Sequence, residues 1–165
     1  MMGVIKLGLI SIIVLFLVVL GISSLLPSEI RVSRALDINA HPDSVMSALK
    51  DLSHWKKWNE FVKPVPRIEV SGDSLLSPEL KVVISPAGPR DLASNWNQPG
   101  HPVLSSVYTL YPTGNVTTIQ WYFTCHFRWY PWEKFSSMVY DKQLGTPMEA
   151  SLQNLKRLLE QQPTE

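Results

Sequence analysis

Few residues in this chain have the types and spacings that catalysis needs. The four histidines, His41, His54, His101 and His126, are widely separated and form no H-E-x-x-H pair, so no metal site is expected. Cys125 is the only cysteine, which excludes an intrachain disulfide and a cysteine-based metal site. Its place in an apolar alternating set predicts a buried, inert thiol rather than a reactive one. No G-x-S-x-G, Walker or dinucleotide-binding glycine pattern occurs, so hydrolase, nucleotide-binding and hydride-transfer chemistry lack support and no cofactor is expected. Glu69, Glu79 and Asp91 are isolated carboxylates, for which a solvated surface is the default. His126 and Arg128 share one strand face with Gln120, Tyr122 and Thr124. That face is a solvated outer surface, or a polar patch inside a cavity if the sheet is reversed.

The other face of the same strand, predicted over 117–132, is wholly apolar: Ile119, Trp121, Phe123, Cys125, Phe127 and Trp129 alternate at the two-residue period. A face this large needs a large partner. Thr146-Pro147-Met148-Glu149 reads as a capping box with proline in the first turn, and Met148, Leu152, Leu155 and Leu159 follow at spacings of four, three and four. This predicts a terminal amphipathic helix beginning near Thr146, cleared by Gly145, with a less regular stretch over 133–143 before it.

Upstream, 29–39 alternates as a first strand, and Pro42 opens a helix over 42–52 carrying Val45, Leu49 and Leu52. Ser53 is placed to cap a second short helix whose Trp55 and Trp58 share one side, making a helical elbow. Strands are expected near 67–71 and 79–85, joined at the turn Gly72-Asp73, and again over 103–111, followed by a turn at Pro112-Thr-Gly-Asn115. The run 86–102, rich in proline and glycine with Asn95, Trp96 and Asn97 at its centre, predicts a loop.

With 165 residues, fifteen basic against fourteen acidic, the chain is one domain plus an anchor, and no basic run interleaved with aromatics points to nucleic acid. Val4 to Leu26 is almost continuously apolar, which predicts a transmembrane anchor over 1–26 and a globular domain over 27–165. A cleaved signal peptide is the alternative, against which stand the length of the run and the lack of an A-x-A site. A span this close to the amino terminus predicts a single-pass membrane protein with its domain outside the cytoplasm.

The order strand, two short helices, antiparallel strands and a terminal helix, with Asp51-Leu52-Ser53-His54-Trp55-Lys56-Lys57-Trp58 after the first strand and 145–160 at the end, resembles the START-like (SRPBCC) superfamily. More narrowly, it is similar to bacterial polyketide cyclase/dehydrase-like proteins with an N-terminal membrane span. The resemblance implies an α+β helix-grip fold, in which a curved antiparallel sheet wraps the terminal helix and leaves a cavity for a lipid or other hydrophobic small molecule. It brings no catalytic set that matches this chain residue by residue.

On that arrangement the expected cavity wall is Trp58 and Phe61 from the elbow, Trp121 and Phe123 from the strand, and Met148, Leu152 and Leu155 from the helix, with Tyr108 as the polar group that orients a ligand. Trp129 to Trp132 form either a packed sheet end or a membrane contact. Three functions follow: a membrane-anchored, non-catalytic binding module; a polyketide cyclase/dehydrase-like enzyme using polar groups in the same cavity; or an interaction domain with a vestigial cavity.

Overall fold

The computed structural model describes residues 2–25, 29–101, 103–126 and 131–161, and the side chains among them except those of 2–5, 23–25, 30, 126 and 131–140. The leading helix α1 (Met2–Leu25) is apolar all round, and its described large side chains from Leu7 to Ile22 are mostly exposed. No helix among the described residues is long and apolar enough to cross a membrane. This corrects the expectation of a single-pass membrane protein with an anchor and an extracytoplasmic domain.

The rest is a seven-stranded antiparallel sheet packed on helices. Strand β1 (Glu29–Ile38) leads into α2 (Pro42–Lys50), a single 3₁₀ turn (Leu52–His54) and α3 (Trp55–Trp58). Six strands follow: β2 (Glu69–Ser71), β3 (Ser74–Leu76), β4 (Lys81–Pro86), β5 (Asp91–Asn97), β6 (Leu104–Thr113) and β7 (Val116–His126). They form a meander, and β1 returns beside β7 to give the order β1-β7-β6-β5-β4-β3-β2, with Val32 opposite Phe123 and Leu36 opposite Ile119. The long helix α4 (Pro131–Glu160) lies against β1 and α3. An antiparallel sheet gripping a C-terminal helix is the α+β helix-grip fold expected from the sequence.

Local chemistry explains most elements. Pro42 stands in the first turn of α2, the His41 side chain accepts from the Asp43 N–H, and Val45 and Leu49 turn inward. Gly72 (φ 54°) and Gly114 (φ 62°) supply the left-handed residues of their hairpins. Along β7, Ile119, Trp121, Phe123 and Cys125 are buried, while Gln120, Tyr122 and Thr124 are half-exposed. On that outer side Gln120 donates to Ser33 Oγ (3.1 Å) and the Arg31 guanidinium lies 4.0 Å from the centre of the Tyr122 ring.

Several expectations need correction. Asp51, not Ser53, caps the elbow: its Oδ1 accepts from the Ser53 N–H (3.2 Å). A short strand, β3, lies between the Gly72 turn and β4. The expected loop over 86–102 contains β5, with Leu92, Ser94 and Trp96 alternating inward. The terminal helix starts at Pro131, so Pro147 lies inside it, and Thr146-Pro147-Met148-Glu149 is not its start. The strand predicted over 117–132 ends at His126. Residues 127–130, and with them Phe127, Arg128 and Trp129, lie outside the described residues, as do the side chains of His126 and Trp132.

Candidate functional site

The inner face of the sheet presents an unusual density of aromatic rings. Phe61, just after α3, sits with its ring centre 5.8 Å from Trp96, 5.8 Å from Trp121 and 5.6 Å from Phe123, each edge-on. Trp96 is 5.7 Å from Phe123 and stacks on Trp55 at 5.6 Å. Behind these, Tyr108 stacks on Trp121 at 4.8 Å, and Trp55 meets Trp58 at 5.4 Å. Edge-on and offset contacts of this kind suit the ring quadrupoles and fix the orientation of each ring.

Two serines hold the indoles in place. Ser94 Oγ and Ser106 Oγ are 2.7 Å apart on neighbouring strands. Trp96 Nε1 donates to Ser94 Oγ (3.0 Å) and Ser106 Oγ (3.2 Å), while Trp121 Nε1 donates to Ser106 Oγ (3.2 Å). The indole N–H groups are thereby satisfied inside the core, and Trp96 offers its apolar ring to the space in front of it.

That space is a cavity of about 280 Å³ lined by Phe61, Leu80, Trp96, Leu104, Phe123 and Leu144, with Gln98, His101 and Gln143. Phe61 reaches it because the end of the elbow is tied to α4. The Glu60 N–H donates to Ser151 Oγ (2.8 Å), Asn154 Nδ2 donates to Glu60 Oε1 (2.6 Å) and to the Trp58 carbonyl (3.3 Å), and Asn59 Oδ1 accepts from the Phe61 N–H (3.0 Å). Lys63 also donates to Glu60 Oε1. The Lys63 bond first, then that of Asn154, holds the Glu60 carboxyl below its ordinary range against a partial opposing effect of burial.

Of the eight residues expected at the wall, Phe61 and Phe123 line this cavity. Trp121, Met148, Leu152 and Leu155 are buried in the core behind it. Tyr108 is wholly buried there too; its hydroxyl has no partner among the described residues, and burial pushes its pKa well above the ordinary value. Trp58 borders a different groove, between α2, the elbow and the end of α4, together with Asp43, Ser47, Asp51, His54 and Lys57. In that groove the Asp51 carboxyl lies below its usual range, held first by Ser53 Oγ and then by His54 Nδ1 at 2.5 Å. Cys125 is a buried free thiol, and burial raises its pKa. Among the described residues no group of three or more His, Cys, Asp or Glu is placed to hold a metal ion.

Sequence reasoning passed over Leu80, Trp96, Gln98, His101, Leu104, Gln143 and Leu144. The alternation of Leu92, Ser94 and Trp96 was the available signal for Trp96. Gln98 and His101 stand on the β5–β6 turn, closed by the His101 N–H donating to the Gln98 carbonyl (3.1 Å), where no periodicity marks direction.

A family model described as polyketide cyclase / dehydrase and lipid transport matches residues 29–160. The chain belongs to that family. No curated protein matches it. Among solved structures of similar fold, CalU16 from Micromonospora echinospora is 17% identical over 81% of this chain and 76% of its own, with a TM-score of 0.59. A START superfamily protein from Mycobacterium smegmatis is 16% identical over 79% and 97%, with a TM-score of 0.58. Norcoclaurine synthase from Thalictrum flavum, in complex with dopamine and hydroxybenzaldehyde, is 13% identical over 83% and 90%, with a TM-score of 0.59. Identities this low establish a shared START-like fold for this member of the polyketide cyclase/dehydrase family.

Proposed function

We propose that this chain is a non-catalytic binding protein for a hydrophobic small molecule, with the binding unit over residues 27–165 and the ligand held between the sheet, the elbow and α4. The observation that carries this is the cavity of about 280 Å³ faced by Phe61, Trp96 and Phe123. Apolar concavities with a few polar groups are the usual form of a ligand site, and this volume lies just below the typical range of about 300–1,000 Å³. It suits a compact, flat molecule of about two fused rings better than a long acyl chain. The neighbour solved with dopamine and hydroxybenzaldehyde lends support, since the same fold there accompanies small aromatic molecules.

A second reading, a polyketide cyclase/dehydrase-like enzyme, is favoured by one observation: His101, a side chain type that transfers protons, borders the cavity with Gln98 and Gln143, whose carboxamides can hydrogen-bond a substrate oxygen.

Calorimetric titration with 2-naphthamide, a neutral two-ring probe, tests the binding reading. Saturable one-to-one binding is expected, lost in Leu104→Trp, whose new indole occupies the cavity. Leu144→Trp serves as a second block if the first variant is unfolded by circular dichroism. No binding of either 2-naphthamide or its acid analogue 2-naphthoic acid to the native protein, or undiminished binding to a folded blocked variant, overturns the proposal.

A further inference from the structure

The cavity is chemically lopsided. Phe61, Leu80, Trp96, Leu104, Phe123 and Leu144 make it apolar, and its polar side chains are Gln98 and His101 from the β5–β6 turn and Gln143 from α4. Among the described lining residues His101 alone can carry charge, and no carboxylate is present to receive a cation. The nearest charged residues along the chain are Glu60 preceding Phe61, Glu79 and Lys81 flanking Leu80, and Asp141 and Lys142 preceding Gln143; none of them is among the described lining residues, Glu60 is held by Lys63 and Asn154, and Asp141 is held by Arg34 at 3.2 Å.

Pro147 lies inside α4, four residues after Gln143. Having no N–H, it returns no hydrogen bond to the carbonyl four residues earlier in α4, which is that of Gln143. The turn that carries His101 is held by its backbone bond to Gln98 and by Gly100 at φ 81°, so His101 and Gln98 border the cavity from one turn and Gln143 borders it from α4.

We infer that the cavity selects acidic aromatic molecules, an aryl carboxylic acid or acidic phenol, whose ring system lies among Phe61, Trp96 and Phe123 and whose anionic oxygen is received by His101 with Gln98 and Gln143. This specificity rests on the binding reading above. Amines are disfavoured, because nothing on the described wall neutralises an ammonium group and a protonated imidazole repels it. Histidine is the side chain type that changes charge between pH 5 and 8, so the preference for anions is greatest at the acidic end of that interval.

The test compares 2-naphthoic acid, ionised throughout that interval, with 2-naphthamide of nearly the same shape, by calorimetry at pH 5.5 and pH 8. Because His101 is exposed, the expected gain is modest: the acid binds about two- to five-fold tighter at pH 5.5 than at pH 8, while the amide is unchanged. In His101→Gln the acid loses its pH dependence. In His101→Lys it binds with the acid-side affinity at both pH values. Amide binding with a pH-independent acid, or a pH effect that persists in His101→Gln, overturns the selectivity and leaves the binding reading standing. Failure of both probes to bind overturns both.

Discussion

Ser106 Oγ illustrates how one small polar atom orders several large rings. It meets Ser94 Oγ and receives both the Trp96 and Trp121 indole N–H groups, so the core tolerates two polar edges without leaving either unsatisfied. The hydroxyl of Tyr108, whose ring stacks on Trp121, has no such partner among the described residues. Leaving a buried hydroxyl unpaired forfeits its hydration, whereas deleting it costs only packing of one atom. Tyr108→Phe is therefore expected to be neutral or to stabilise the fold by up to about 1 kcal/mol, read from urea unfolding at neutral pH. A loss of more than about 1 kcal/mol would show that the hydroxyl is bonded in solution, to water or to a ligand group. Because its ionisation is opposed by burial, the same residue leaves stability independent of pH below the ordinary tyrosine range and lowers it as pH rises from there toward the raised folded value.

At the scale of elements, α4 combines good and poor helix chemistry. Gly145 and Pro147 both weaken a helix interior, yet the helix runs through them, because Met148, Leu152 and Leu155 bury completely and Gly145 lies under the Arg34 guanidinium. A Cβ at position 145 would fall 2.1 Å from Arg34 Nη2. The arginine would have to swing away from Asp141 (3.2 Å) and Glu149 (2.6 Å), carboxylates whose side chains are 63% and 58% exposed, so each bond is worth less than about 1 kcal/mol. Alanine gains about 1 kcal/mol of helix propensity over glycine. Gly145→Ala is thus expected to lie within about 0.5 kcal/mol of neutral in the native background and to stabilise by about 1 kcal/mol in an Arg34→Ala background. A cost of about 2 kcal/mol in the native background would mean that Arg34 has nowhere to go. The same residues show why part of α4 was hidden in the sequence. Gly145 and Thr146-Pro147 carry the chemistry of a stop and a start, and only tertiary burial overrides it. Prolines and glycines likewise bracket Leu92, Ser94 and Trp96 and mask β5. By contrast Val45 with Leu49, the alternation of β7 and the Met148 stripe were legible, since burial there follows a simple period. Phe123 could be placed on the inner face by that periodicity, and Phe61 only through the arrangement the resemblance implied; Gln98 and His101 could not, because a turn has no period.

For the whole molecule, the grip depends on polar ties between α4 and the elements it packs on. Arg34 of β1 bonds Glu149, Lys156 donates to the Asp37 carbonyl (2.8 Å), and Glu160 accepts from the Asn39 N–H (2.9 Å). At the elbow, Glu60 gathers Lys63 and Asn154 while its own N–H reaches Ser151. Of the carboxylates in these ties, Glu60 is the one held below its ordinary range, first by the Lys63 bond. A group with a lowered folded pKa lends stability above its unfolded value, near pH 4.3 for glutamate, and that stability is lost as pH falls through the folded value. The native protein is therefore expected to lose stability more steeply than Glu60→Gln as pH falls below about 5, by a difference in proton uptake on unfolding that stays below one. Urea midpoints measured across that range give the two slopes. Glutamine keeps an oxygen for Asn154 and cannot take up the proton, so the comparison isolates ionisation from shape. Parallel slopes would place the acid sensitivity elsewhere, with Asp51 at the start of the elbow the next carboxylate to replace, since Ser53 and then His54 hold it below its ordinary range. Divergent slopes, accompanied by loss of 2-naphthamide binding in the native protein at the same pH, would show that the elbow and the cavity wall it carries at Phe61 come apart as one unit.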